Sequence, residues 1–248
     1  MEKYDISWLK KFPIAHRGLH DISVKIPENS LKAFANAVKH NYAIELDVYV
    51  ISDQQVIVFH DDNLKRMCGI EKNVNTLNSF DYHLYNLLRT EEKIPLLQEV
   101  LHLVDGKVPI IIEIKNQPKT KNANMVILNI LLGYKGFIAI QSFNPFIMGW
   151  FAKNAPTLPR GQLSSNFKDE QIGLVKKFIL KKFIFNFVSK PHFIAYNVKD
   201  IPNRLIVKKR KKGILIIGWT VNSEKEYQQI AAYCDNIIFE SFKPVAGI

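Results

Sequence analysis

Ile44-Glu45-Leu46-Asp47-Val48-Tyr49-Val50 is a run of apolar and β-branched residues broken at alternate positions by two acids. A β-strand turns successive side chains to opposite faces, so Glu45 and Asp47, at i and i+2, point the same way. The arrangement returns in Ile111-Ile112-Glu113-Ile114-Lys115, which pairs Glu113 with Lys115 on one face. Similar short runs elsewhere predict strands over residues 13–16, 44–50, 108–115, 137–141, 159–163, 193–197, 214–220 and 236–240. Amphipathic spacing predicts helices between them, at 30–39, 96–104, 122–133, 145–154, 168–182 and 224–234, with a weaker one over 202–211. Strands alternating with helices are the pattern of βα units and a parallel sheet.

Eight such strands in 248 residues is the count of a (β/α)8 TIM barrel, whose reactive groups sit at the C-terminal ends of the strands. An open doubly wound sheet is the alternative. Two features strain a perfect repeat. Val56 to Phe59 reads as an extra strand after the turn Ser52-Asp53-Gln54-Gln55, and residues 61–93 are too polar and irregular for one helix. That stretch is expected to be a small insertion after the second strand, lying over the barrel mouth. No Gly/Ser-rich linker divides the chain, so residues 1–248 are read as one domain.

Bulk composition narrows the function classes. A hydrophobic fraction of 47% with 23% charged residues is that of an ordinary globular protein and excludes disordered and fibrous classes. The start of the chain carries Glu2, Lys3, Asp5, Lys10 and Lys11, so it lacks the apolar core of a signal peptide, and no stretch has the roughly 18 apolar residues of a membrane span. A cytoplasmic location is expected. Cys68 and Cys234 lie far apart and outside any CxxC pattern, which predicts two buried free thiols. A net charge of +11 favours anionic partners: phosphorylated metabolites, lipid headgroups or nucleic acid. The lysine clusters at 176–190 and 208–212 are read as solvated faces. GxGxxG and Walker patterns are missing, which argues against dinucleotides and nucleoside triphosphates.

Polar residues gather where several strands end. His16-Arg17-Gly18 follows the first strand, and His60-Asp61 ends the short strand after the second. Charges on an interior strand face are costly unless paired, hydrogen-bonded or metal-bound. Glu45, Asp47 and Glu113 converging from neighbouring strands would offer hard oxygen ligands to Mg2+ or Ca2+. Structural ion pairs with Lys115 and Arg17 are the competing reading. Two imidazoles beside a cation and two basic side chains suit hydrolysis of a phosphodiester, one removing a proton from the attacking oxygen and one protonating the leaving alkoxide. His20, His40, His83, His102 and His192 lack such company and are given no role.

The ordered set Ile14-Ala15-His16-Arg17-Gly18, Pro27-Glu28-Asn29-Ser30, Ile44-Glu45-Leu46-Asp47-Val48, Val58-Phe59-His60-Asp61 and Glu113-Ile114-Lys115 resembles the glycerophosphodiester phosphodiesterase family. The resemblance continues more weakly through Gln141-Ser142-Phe143-Asn144 and Gly218-Trp219-Thr220-Val221-Asn222. It implies a (β/α)8 barrel with an insertion after the His-Asp motif, catalytic histidines at His16 and His60, and metal ligands at Glu45, Asp47 and Glu113. It also implies substrate contacts from Arg17, Lys115 and Glu28. The implied reaction converts a small-molecule glycerophosphodiester, such as glycerophosphocholine, to glycerol 3-phosphate and an alcohol. Attack by the substrate's own glycerol hydroxyl through a cyclic phosphate is one implied route, and direct attack by water the other. Ser30 stands where the family usually has Thr, and Glu240 where it commonly has Asp.

Three other readings compete. A lysophospholipase D would make the same cut on an acylated substrate, and Phe178, Phe183, Phe185, Phe187 and Phe193 among lysines could rest on an anionic membrane. The favoured expectation for that segment is a barrel helix and strand with buried aromatics. A non-catalytic phosphate-binding barrel would usually have lost a histidine or a ligand, and none is lost here. Nucleic-acid binding is suggested by charge alone and lacks a motif.

Overall fold

The computed structural model describes residues 5–117, 122–168 and 173–244. Strands β1 (Ile14–Ala15), β2 (Ala43–Val50), β3 (Val56–Val58), β4 (Ile110–Ile114), β5 (Ile138–Ser142), β6 (Arg160–Ser164), β7 (Phe193–Asn197), β8 (Leu215–Val221) and β9 (Asn236–Phe239) alternate with helices. The order is that of the (β/α)8 barrel class, with β3 as the added strand. Each expected strand is found within two residues of its expected limits. The described residues fall into two compact units, one made of those within 15–138 and the other of those within 5–14 and 139–244.

Within Ala15–Ile138 the strand order is β4-β2-β3, β2 running parallel to β4 and antiparallel to β3. All eight residues of β2 are buried, as in parallel sheets covered on both faces. Helix α1 (Leu31–Lys39) begins at Ser30, whose Oγ accepts from the Ala33 N–H at 3.1 Å and donates to the Pro27 carbonyl at 2.7 Å. A cap of this kind contributes about 1 kcal/mol. The irregular stretch after β3 holds a short helix α2 (Lys65–Cys68) and single 3-10 turns at 74–76, 82–84 and 87–89. It still has a core of its own, in which Leu64, Met67, Val74, Leu77 and Leu87 pack on Tyr49, Ile51, Ile57 and Phe59. Helix α3 (Leu97–Val104) buries Leu97, Val100, Leu101 and Val104, the i, i+3, i+4, i+7 stripe of an amphipathic helix. Helix α4 (Ala123–Leu132) precedes β5.

Gly18 is the tightest backbone position beside the site. It has φ +80°, and a Cβ there would lie 2.9 Å from both the carbonyl carbon and the Cβ of Ala33. Both contacts are on the buried wall of α1, so neither can give way freely. Gly18→Ala is expected to destabilise by roughly 2 kcal/mol. Thermal melting tests this, and an unchanged midpoint would show that the Gly18 turn can relax.

The second unit has the order β9-β8-β7-β6-β5 with parallel register throughout. Its helices are α5 (Pro145–Asn154), α6 (Leu174–Lys181), α7 (Asn186–Ser189), α8 (Arg204–Lys211) and α9 (Glu224–Ile230). Asn236 Nδ2 donates to the carbonyls of Leu9 and Phe12, both at 2.7 Å, tying the segment around the Ser7–Lys10 turn to β9. Three expectations change here. The helix expected over 168–182 is found only as α6; residues 169–172 lie outside the described residues. Helix α9 stops at Ile230, because the Tyr233 N–H turns back to the Ile230 carbonyl at 2.8 Å. The aromatics expected to be buried divide: Phe183 and Phe193 are buried, while Phe178 and Phe187 are exposed. Both cysteines are free as expected, but only Cys234 is buried; Cys68, at the end of α2, is half-buried, contrary to expectation.

Candidate active site

The register of β2 on β4 sets Asp47 opposite Glu113. Partners on adjacent strands share a face about 4.8 Å apart, and Glu45, two residues before Asp47, joins that face. One carboxylate oxygen from each of Glu45, Asp47 and Glu113 lies within 4.8 Å of the others, and all three residues are buried. Lys115 follows on the same face, its Nζ 2.7 Å from Asp47 Oδ1 and 2.8 Å from Glu113 Oε1.

One ammonium cannot balance three buried carboxylates, and the charges divide accordingly. Burial pushes the Glu45 carboxyl well above the ordinary range, and Asp47 and Glu113 push it the same way against Arg17 and Lys115. Glu113 is also raised by burial, which together with Asp47 outweighs Lys115. Burial opposes the charge on Asp47 too, but Lys115, His60 and Arg17 overcome it and hold Asp47 below the ordinary range. Lys115 would be lowered by burial, yet Asp47 and Glu113 keep it above its usual value and so charged.

Arg17 links this cluster to a second network. Its backbone is left-handed (φ +54°), its N–H donates to Glu45 Oε2 at 3.2 Å, and its guanidinium donates to Glu28 Oε1 at 2.6 Å. Arg66 of α2 grips the same Glu28 with two bonds of 2.9 and 2.7 Å and Asp61 with two of 2.7 and 2.9 Å. Asp61 Oδ1 in turn lies 2.7 Å from His60 Nδ1. An acceptor there fixes the proton on Nδ1 and leaves the lone pair on Nε2. Burial lowers the His60 pKa, with Lys115 and Arg17 adding to the effect and Asp47 and Asp61 opposing it. The imidazole is therefore neutral near pH 7. His16 directly follows β1, half-buried and one residue before Arg17.

The residues present fit a divalent cation. The donors are all oxygens, the set favoured by hard ions such as Mg2+ and Ca2+. The elevated Glu45 and Glu113 mark a surplus of negative charge. Asn29, 2% exposed and left-handed at φ +53°, donates its Nδ2 to Asp47 Oδ2 at 3.0 Å, while its Oδ1 is buried with no hydrogen-bond partner. Swapping the amide would set an oxygen against the carboxylate, so the orphan is an acceptor awaiting a donor or a cation. Arg17 Nε is the opposite orphan, a buried donor 3.5 Å from Asp47 Oδ2 and without a hydrogen bond.

Comparison with known proteins decides the family. Residues 16–242 match the sequence model of the Glycerophosphoryl diester phosphodiesterase family. The chain belongs to this family. YhdW of Bacillus subtilis (strain 168), itself provisionally named a glycerophosphodiester phosphodiesterase, is 31% identical over 233 residues, 88% of this chain and 89% of that protein. The crystal structure of a glycerophosphodiester phosphodiesterase from Thermotoga maritima is 26% identical, covers 92% of this chain and 94% of its own, and superposes with a TM-score of 0.70. Lysophospholipase D GDPD1 of Homo sapiens is 36% identical over 115 residues, 41% of this chain and 35% of that protein.

Among the described residues of this glycerophosphodiester phosphodiesterase family member, the expected acids, Arg17, Lys115 and Glu28 come together by direct contact. His60 joins them through Asp61, Arg66 and Glu28. Two participants escaped the sequence reading. Arg66 lies in the insertion, where no periodicity singles out any residue. Asn29 carried a signal in its place in the Pro-Glu-Asn-Ser stretch, since asparagine is among the few side chains that tolerate a left-handed backbone.

Proposed function

We propose that the chain hydrolyses small-molecule glycerophosphodiesters to glycerol 3-phosphate and an alcohol, with His16 and His60 as the acid–base pair and a divalent cation, Mg2+ or Ca2+, held by Glu45, Asp47 and Glu113. The carrying observation is the buried three-carboxylate cluster next to two cations, beside a histidine already fixed in one tautomer. Bound there, the cation would neutralise charge on the phosphoryl oxygens as the transition state forms. The chain's own residues do the rest. Arg17 and Lys115 would attract and orient the phosphate, and the Arg17 Nε–H, which makes no hydrogen bond within the protein, would donate to one of its oxygens. One imidazole takes the proton of the attacking oxygen, that of a water or of the substrate's own glycerol hydroxyl, as that oxygen bonds to phosphorus; on the second route a water then opens the resulting cyclic phosphate to glycerol 3-phosphate. The other gives a proton to the alkoxide as the bond to the departing alcohol breaks. Glu28, a carboxylate that would repel a phosphate, is assigned to hold Arg17 and Arg66 in place.

The test is to strip the protein with EDTA, return Mg2+ or Ca2+, and follow glycerol 3-phosphate release from glycerophosphocholine and glycerophosphoethanolamine. Metal-restored release is expected. Full activity after exhaustive chelation would remove the cation from the scheme. Release from lysophospholipids alone would move the assignment to lysophospholipase D.

A further inference from the structure

The net charge of this protein is not spread over it. Of 34 Lys and Arg and 23 Asp and Glu, twelve and one fall within residues 173–212, so this stretch carries the whole of the +11 and the remainder is balanced. Its one acid, Asp200, is engaged by the backbone and side-chain amides of Asn166. Lys176, Lys182, Lys190, Lys208, Lys211 and Lys212 are exposed.

The same stretch exposes apolar side chains. Helix α6 contains Leu174, Val175, Phe178, Ile179 and Leu180 and buries none of its residues. Leu174 is 83% exposed, Val175 75%, Phe178 57% and, beyond the helix, Phe187 70%. Phe187 continues through Phe185 (centroids 6.1 Å apart) to Phe146 at the start of α5 (5.0 Å), and Lys209 of α8 sits 5.8 Å from the Phe183 ring centre. Phe183 is itself buried and lies between α6 and α7, so this contact packs the basic helix α8 against the segment that carries the exposed side chains. An amphipathic helix with an unburied apolar face, rimmed by lysines, has the composition of a segment that lies in a membrane interface.

We infer that the α6–α8 surface docks on an anionic phospholipid bilayer, the lysines engaging the headgroups and Leu174, Val175, Phe178 and Phe187 entering the headgroup–acyl boundary. Charge complementarity selects an anionic partner, and the aliphatic side chains select lipid over nucleic acid, because a phosphate backbone rewards lysines and gives nothing to an exposed Leu or Val. The docking residues lie on α6–α8 and the catalytic candidates all lie within Ala15–Ile138, so docking and catalysis can be tested separately.

The experiment is co-sedimentation of the full chain with phosphatidylcholine vesicles and with vesicles containing about one-third phosphatidylglycerol. Partitioning is expected only onto the anionic vesicles, and it should vanish at about 1 M salt, where the Debye length is about 3 Å. Lys176→Gln/Lys182→Gln should weaken partitioning roughly 25-fold, the equivalent of about 1 kcal/mol per lysine. Phe178→Ser/Phe187→Ser should weaken it roughly tenfold or more. Both variants replace exposed residues and should keep the far-ultraviolet circular dichroism and soluble-substrate turnover of the parent. No binding to anionic vesicles at low salt overturns the inference. So does vesicle binding that is indifferent to the phenylalanine pair, or duplex DNA binding that exceeds vesicle binding, since either would make this a general polyanion surface.

Discussion

His60→Ala and His16→Ala should each lower kcat for a glycerophosphodiester by roughly 10²–10⁴-fold, the usual contribution of a positioned general acid or base. For His60 the expectation rests on geometry. Its Nδ1 is committed to Asp61 Oδ1 at 2.7 Å, so Nε2 is the atom free to exchange a proton, and its pKa lies below the ordinary histidine value. Asp61→Asn separates orientation from chemistry. An asparagine can present an N–H where His60 needs an acceptor, which favours the wrong tautomer, so kcat should fall at least tenfold although the imidazole remains. With the carboxylate gone, one of the two influences that raise the His60 pKa is lost, and the acid limb of the kcat/KM profile should move to lower pH. The measurements are steady-state kinetics and the pH profile of each variant beside its melting temperature. A His60→Ala protein that melts normally and turns over within threefold of the parent would remove His60 from the acid–base pair.

The fold was legible because the signals that specify it are local. Isoleucine- and valine-rich runs that fill a covered parallel strand have few other structures open to them, and β2, β4 and β7 appear almost where the pattern set them. The carboxylate cluster was legible for a related reason: the two-residue period of a strand puts Glu45 with Asp47 and Glu113 with Lys115 before any pairing is known. Pairing itself supplies what the period cannot, the register that sets Asp47 against Glu113. The Arg66 bridge was not legible, because it depends on an irregular chain folding over its own small core, and neither helical nor strand spacing records that. Phe178 and Phe187 are exposed against expectation for the opposite reason. Aromatic composition reports a tendency to be buried and not the surface against which burial occurs.

Lys115→Met should destabilise the metal-free protein by roughly 3–5 kcal/mol, the cost of leaving buried charge without its partner. Lys115 is the one cation in direct contact with both Asp47 and Glu113 among the described residues. Methionine is unbranched and one heavy atom shorter than lysine, so it fills most of the same space without the charge and the electrostatic effect dominates. If Glu45, Asp47 and Glu113 also hold a divalent cation, Mg2+ or Ca2+ supplies part of the lost positive charge. The deficit should then shrink when metal is added, and the variant should gain more stability from metal than the parent does. The pH dependence has a definite sign. Glu45 and Glu113 have folded-state pKa values above the unfolded ones, so the stability they contribute is complete below about pH 4.5 and is lost as pH rises through the elevated values. Metal-free protein should therefore melt at lower temperature as pH rises toward neutrality, and saturating metal should flatten that slope by favouring the ionised carboxylates. Melting curves across pH, with EDTA and with each metal, measure both effects. A Lys115→Met deficit that metal leaves unchanged, together with an unaltered pH slope, would mean that the three carboxylates are a structural ion-pair cluster and that any catalytic cation binds elsewhere.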